Sequence, residues 1–257
     1  MPDLTVSGLS VALGGRTIVD DASLQVGEGE LVALLGANGA GKTTLLRGLL
    51  GLAPRTGGTV AIGGDDPARL GAAERARRVA YLPQLRPLAW PIRVRDLVAL
   101  GRFAHGVALG RLGPSDAAAV ERALTVCDLT AFAGRAATTL SGGELARVHV
   151  ARAIAAEAPL LITDEPTAAL DPLHQHQVMR LLRTSADAGC GVLVVTHDIG
   201  LAAQFADRLA WMAAGRVVAD GLPEATLTAD RIAQVYGVSA TVRRLDGDWL
   251  VSVAGAA

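Results

Sequence analysis

Gly36-Ala37-Asn38-Gly39-Ala40-Gly41-Lys42-Thr43 decides how this 257-residue chain is read. It fits the pattern G-x-x-x-x-G-K-[ST] at every fixed position. The apolar run at 30–35 (ELVALL) precedes it, and 42–50 has helical character that stops at Gly51. The order is therefore strand, glycine loop, helix. Glycines let successive backbone N–H groups turn inward and cradle phosphate oxygens, and the helix that follows presents its positive end. Lys42 brings a point charge to the β- and γ-phosphates, and Thr43 brings a hydroxyl for Mg²⁺. Lys42 is the only lysine among 24 basic residues, and Asn38 is the only asparagine. A chain that otherwise uses arginine keeps an ammonium where a planar guanidinium would not enter a ring of N–H groups.

Further along, Leu160-Leu-Ile-Thr-Asp164-Glu165-Pro166 is an apolar run ending in two carboxylates. In an open parallel sheet ligands bind beyond the carboxyl ends of the strands. Asp164 is therefore placed for the Mg²⁺ shell, and Glu165 to polarise an attacking water. Leu140-Ser141-Gly142-Gly143-Glu144 opens another helix. It reads as a capping box, because Ser141 is followed by Glu144, or as a second anion-binding nest. As a nest it leaves two arrangements open. Either the chain binds two nucleotides, or one nucleotide lies between two chains that each give half a site.

Between these motifs the pattern alternates. Strands are expected at 4–13, 18–26, 57–62, 79–83, 160–163 and 191–196, and helices at 96–102, 115–127 and 144–156. Strands alternating with helices argue for an α/β layered core. The helical block at 85–154 reads as an insertion. Charge is nearly balanced, with 24 basic and 25 acidic residues, which argues against a nucleic-acid surface. Arg75, Arg77 and Arg78 read as a solvated helix face. Cys127 and Cys190 have no paired or metal-like spacing. His174 and His176 stand at i and i+2 on a helix and do not face one metal. No apolar run is long enough to span a bilayer and none reads as a signal peptide, so the expected compartment is cytosolic.

Six elements in order resemble the ATP-binding cassette (ABC) ATPases: the glycine loop at 36–43, Gln84 after an apolar strand, LSGGE at 140–144, the pair Asp164-Glu165, Ala169-Leu170-Asp171, and His197 after Val194-Val195-Thr196. The resemblance implies a P-loop NTPase (RecA-like) α/β core with an N-terminal antiparallel β subdomain at 1–84 and 155–257, and an inserted α-helical subdomain at 85–154. It implies ATP and Mg²⁺ as cofactors and a head-to-tail homodimer, with each ATP sandwiched between one phosphate loop and the partner's signature loop. Carried over residue by residue, Asn38, Gly39, Ala40, Gly41, Lys42, Thr43 and Thr44 would hold the phosphates. Thr43, Asp164 and Gln84 would surround the metal. Ser141, Gly142 and Gly143 would face the partner's nucleotide, and Asp171 would lie at the interface. Glu165 would be the base and His197 the switch on the γ-phosphate.

Leu13 stands where the family usually has an aromatic for adenine, which implies an apolar contact with the base. Ala146 replaces a common glutamine. Three stretches resemble the ATPases of bacterial iron-chelate, haem and cobalamin importers: 90–102 (WPIRVRDLVALGR), 170–175 (LDPLHQ) and the tail from Val235-Tyr-Gly-Val to 243–250 (RRLDGDWL). This likeness implies separate polytopic membrane subunits at the cytoplasmic face, a substrate-binding protein beyond them, and Trp90 near the groove that receives a membrane helix. Zinc, manganese and molybdate importers look similar, and a soluble ABC ATPase without a membrane partner is the remaining alternative.

Overall fold

The computed structural model describes residues 3–84, 88, 90–106 and 111–256. β1 (Leu4–Leu13), β2 (Arg16–Val26) and β4 (Arg55–Ile62) form a three-stranded antiparallel sheet in the order β2-β1-β4. β3 (Leu31–Gly36) lies between β2 and β4 in sequence but joins a different, six-stranded sheet. That sheet also takes β5 (Val79–Leu82), β6 (Leu160–Asp164), β7 (Gly191–Val195), β8 (Arg208–Ala213) and β9 (Arg216–Gly221), in the order β5-β6-β7-β3-β8-β9. Every pairing in it is parallel except β8 with β9.

β3 shows why this sequence makes a central strand. All six of its residues are buried. Val32 and Leu34 enter one core with β1, β2, β4 and Leu45, Leu46 and Leu49 of α1 (Lys42–Leu49). Leu31, Ala33 and Leu35 enter the core on the other face. A parallel strand covered on both faces reads as an unbroken apolar run, which is what ELVALL is. The second core packs α6 (Pro172–Asp187), α7 (Ile199–Phe205) and α9 (Ala229–Tyr236) against the sheet through Met179, Leu182, Leu201, Ala202, Ile232 and Val235.

A third core lies among helices. Val94 and Leu97 of α3 (Val94–Ala99), Val120 and Leu124 of α4 (Pro114–Val126), and Val148 and Ala151 of α5 (Gly142–Ala155) meet there. The helix expected at 96–102 instead begins at Val94 and tightens after Ala99 into a 3₁₀ turn, Leu100–His105. Residues 85–87 and 89 of the expected groove stretch lie outside the described residues. α2 (Ala72–Arg78) carries the three arginines and buries none of its residues. A short α8 (Pro223–Thr226) precedes α9, and a separate antiparallel hairpin, β10 (Val238–Leu245) with β11 (Asp248–Ala256), closes the chain. Among the described residues no helix is long and apolar enough to cross a membrane.

Because β6, β7 and β3 are neighbours and parallel, their carboxyl ends share one edge of the sheet. The glycine loop leaves β3 there. The acidic pair ends β6, and His197 follows β7.

Candidate nucleotide site

The loop after β3 wraps a cavity of about 460 Å³. Asn38, Gly39, Gly41, Lys42, Thr43 and Thr44 line it from the loop and α1, Gln84 and Glu165 from the facing side, and Ile18 from β2. Gly39 and Gly41 have φ of 79° and 103°, a region that favours glycine. At Gly41 a Cβ would also stand 2.9 Å from the Ile18 carbonyl oxygen, so the loop can pass under β2 only as glycine. α1 then starts with no side-chain cap and no acidic residue in its first turn. The first N–H groups of a helix have no partner inside it. Here they face the cavity with the positive end of the helix dipole behind them.

Lys42 is 6% exposed. Its Nζ donates to the carbonyl oxygens of Gly36 at 2.6 Å and Ala37 at 3.1 Å. Burial pulls its ammonium below the ordinary lysine range, against the opposing pull of Glu165 and Asp164. A buried cation flanked by two acids and open N–H groups suits a polyanion. Thr43 Oγ1 donates to Asp164 Oδ2 at 2.9 Å. Burial raises the Asp164 carboxyl, the Thr43 hydrogen bond opposes this, and Glu165 adds to it. A hydroxyl and a carboxylate converging at the cavity edge are the hard oxygen donors that Mg²⁺ takes, so the residues fit that ion.

Glu165 has φ of 46° and donates its backbone N–H to Val195 O at 2.9 Å. A non-glycine residue in the left-handed region is uncommon and concentrates at functional sites. The turn aims its carboxylate back toward the loop. Gln84 Nε2 donates to Glu165 Oε2 at 2.8 Å, and His197 Nδ1 stands 3.9 Å from the same oxygen. The structure thus brings Lys42, Thr43, Gln84, Asp164, Glu165 and His197 to one place from four separate sequence regions.

Other expected residues sit apart. Ser141, Gly142, Gly143 and Asp171 do not line this cavity. Ser141 caps α5: its side chain accepts from Glu144 N at 3.2 Å, and Glu144 Oε2 accepts from Ser141 N at 2.8 Å. Asp171 caps α6 and accepts from His174 N at 3.0 Å. Leu13 is 40% exposed beside the β1–β2 turn, paired with Arg16. It does not line the cavity either, and the apolar group that does is Ile18.

Two contacts had no motif to announce them. One is Ile18. The other is Tyr236 of α9, whose hydroxyl oxygen accepts from the N–H of Gly36, the first loop residue, at 3.1 Å. The Val-Tyr-Gly stretch was visible in the sequence, but nothing there ties it to a residue 200 positions earlier.

A family model described as ABC transporter matches residues 19–168. The hemin import ATP-binding protein HmuV of Streptomyces coelicolor is 45% identical over 229 residues, covering 89% of this chain and 81% of that protein. The cobalamin import ATP-binding protein BtuD of Halobacterium salinarum is 42% identical over 240 residues, covering 93% of this chain and 60% of the relative. Among solved structures, the dimeric structure of MJ0796, a bacterial ABC transporter cassette, matches with a TM-score of 0.70 at 28% identity, over 85% of this chain and 98% of that one. With its loop, acid pair and LSGGE helix in place, the chain belongs to the ABC transporter family, as an ATP-binding cassette that hydrolyses ATP.

Proposed function

We propose that this chain is the ATPase subunit of a bacterial importer for a metal chelate of the iron-siderophore, haem or cobalamin kind. The names of the relatives at 45% and 42% identity support that cargo class. Two copies pair head-to-tail, each closing the other's nucleotide site with its Ser141–Gly143 loop. The dimeric MJ0796 cassette supports the pairing. The dimer works at the cytoplasmic face of the membrane, on separate polytopic permease subunits, downstream of a substrate-binding protein. The helical segment at 85–154 is the part that meets the permease, and the rest, 1–84 and 155–257, is the nucleotide-binding core. Trp90, 61% exposed, is an apolar anchor available to a membrane helix.

The carrying observation is Glu165 at the edge of the loop cavity, held by Gln84 and facing His197. Glu165 orients and deprotonates the attacking water. His197 and Gln84 fix its carboxylate. Lys42 and the loop N–H groups take the charge that develops on the phosphoryl oxygens, so catalysis is positioning plus electrostatics. Thr43 and Asp164 hold Mg²⁺, with Gln84 beside them, and the ion supplies further positive charge when bound. Leu13 and Ile18 offer the base an apolar surface beyond the phosphates.

Glu165→Gln tests this reading. The amide keeps shape and hydrogen bonding but is no base. Turnover is expected to fall by more than about a hundredfold, the scale of a lost general base. Binding of a fluorescent ATP analogue should persist, and light scattering should show an ATP-dependent dimer. Unchanged turnover would remove Glu165 from its role.

A further inference from the structure

The LDPLHQ stretch at 170–175 has no task in the reaction as described, yet it touches the signature loop. Gly143 lies in the first turn of α5. A Cβ built there would fall inside the contact shell of His174 Cδ2, Cγ and Nε2. The imidazole of His174, from the first turn of α6, is therefore seated on the Cα of the second signature glycine. The obstruction is a ring rather than a flexible chain end, and the ring is fixed. His174 Nδ1 is 2.7 Å from Asp171 Oδ2, while Asp171 Oδ1 accepts the His174 backbone N–H at 3.0 Å. A carboxylate only accepts, so Nδ1 carries the proton. One side chain thus fixes both the start of α6 and the orientation of the ring. The helices are locked together one turn further on, where Val178 of α6 is buried in the same core as Ala146 and Val150 of α5.

Asp171 ends the short turn that begins at Glu165, this chain's own base. Gly143 belongs to the loop that this chain offers to the other copy's nucleotide. We propose that His174 is a positioning residue that joins these two parts, so that the acid segment of one site and the signature loop of the other shift together. It rests on the head-to-tail dimer proposed above. His174 touches no nucleotide in this arrangement. It acts through Gly143 and Asp171, and makes the two sites of the dimer respond to each other.

The test measures steady-state ATP hydrolysis against ATP concentration for the full chain and for His174→Ala and His174→Asn. It also measures ATP-driven dimerisation in the Glu165→Gln background with His174 intact and with His174→Ala. Asn returns an N–H at the place of Nδ1 without the ring. Expected are a Hill coefficient above one for the unaltered chain and a fall toward one in His174→Ala. A loss of about tenfold or more in kcat should accompany it, with binding of a fluorescent ATP analogue changed less than about twofold. Dimerisation should weaken in Glu165→Gln/His174→Ala. His174→Asn should recover a substantial part of kcat and of the Hill coefficient. If Glu165→Gln with His174 intact forms no dimer with ATP, the dimer reading falls and the coupling with it. If it does dimerise, and His174→Ala keeps both kcat and Hill coefficient, the coupling alone is overturned. Equal loss in Ala and Asn together with a lowered melting temperature also overturns it, since packing then explains the contact.

Discussion

Two helices of this protein begin with a glycine-rich turn after a loop, and their starts are built in opposite ways. α1 starts at Gly41 with no side-chain cap and no acid in its first turn. α5 starts at Ser141 with a complete capping box, in which Glu144 returns to the Ser141 backbone. The first start leaves its N–H groups for an outside anion and adds Lys42 beside them. The second satisfies two of its backbone N–H groups itself, those of Ser141 and Glu144, and places a carboxylate there, held below the usual range by the Ser141 hydrogen bonds. An open start can bind phosphate alone. A self-capped start gains from phosphate only when a nucleotide already held elsewhere is brought to it. The difference in capping therefore fits the division of labour in the proposed dimer, with α1 as the resident half of the site and α5 as the half offered to the other copy.

The sharpest way to break that contrast is at Lys42. Lys42→Arg keeps the charge but must place a planar fork where the compact ammonium reaches the Gly36 and Ala37 carbonyls. Loss of one such preorganised donor costs on the order of 10²–10³ in rate. Nucleotide binding to the isolated monomer should be lost along with turnover, because α1 works without help. Binding measured by a fluorescent analogue and phosphate release should fall together. A variant that still binds ATP tightly as a monomer would show that the open N–H groups suffice and that the lysine serves only the reaction.

At the other start the expected effect is smaller and of another kind. Ser141→Ala removes a helix cap worth about 1 kcal/mol. For a chain of this size that lowers the melting temperature by about 2–4 °C per kcal/mol. In the proposed dimer it also removes a hydroxyl offered to the partner's phosphate, and a hydrogen bond to a charged group is worth about 1.5–3 kcal/mol, or roughly ten- to a hundredfold. The monomer should still bind ATP, while kcat/KM falls and the ATP-driven dimer of Glu165→Gln weakens. If only the melting temperature moves, α5 is an ordinary capped helix and the comparison ends there.

These two starts were also unequally legible. The loop at 36–43 and the LITDE strand end carry their chemistry in contiguous residues, so the proposed phosphate-binding half follows directly from residue types and spacing. The unbroken run in β3 gave away its burial on both faces. The signature loop was ambiguous in sequence because a capping box and an anion nest use the same residues, and the structure shows the box formed. The last sixty residues were mostly silent. β8 and β9 end the sheet with no chemical motif. β10 alternates with a period of two, its Val238, Ala240 and Val242 packed partly against the second core, and Asp246-Gly247, with φ of 50° and 96°, is the dipeptide that favours a tight hairpin, but neither signal names a chemistry. Ile18 and Tyr236 were invisible as site residues because each meets the loop through a backbone group, and a backbone partner leaves no trace in the pattern of side chains.

The smallest expected effect concerns the rear of the open start. Its front N–H groups await an anion, but the N–H of Gly36, where β3 becomes the loop, is already taken by the Tyr236 hydroxyl at 3.1 Å. Burial pushes that phenol up to about 12, so it stays neutral at any working pH and brings no charge toward the phosphates. Tyr236→Phe keeps the ring in the core and removes only the acceptor. A buried N–H left without a partner costs about 1–3 kcal/mol, which should appear as a melting temperature several degrees lower. Because the freed N–H is the hinge from strand to loop, the KM for ATP should also rise a few-fold while kcat changes less, with no new dependence on pH between 6 and about 9. A lower melting temperature at unchanged KM would mean that α9 only supports the fold. A raised KM that ATP saturation rescues would mean that the open start depends on the chain's far end for its shape, whereas the capped start of α5 carries its own hydrogen bonds within four residues.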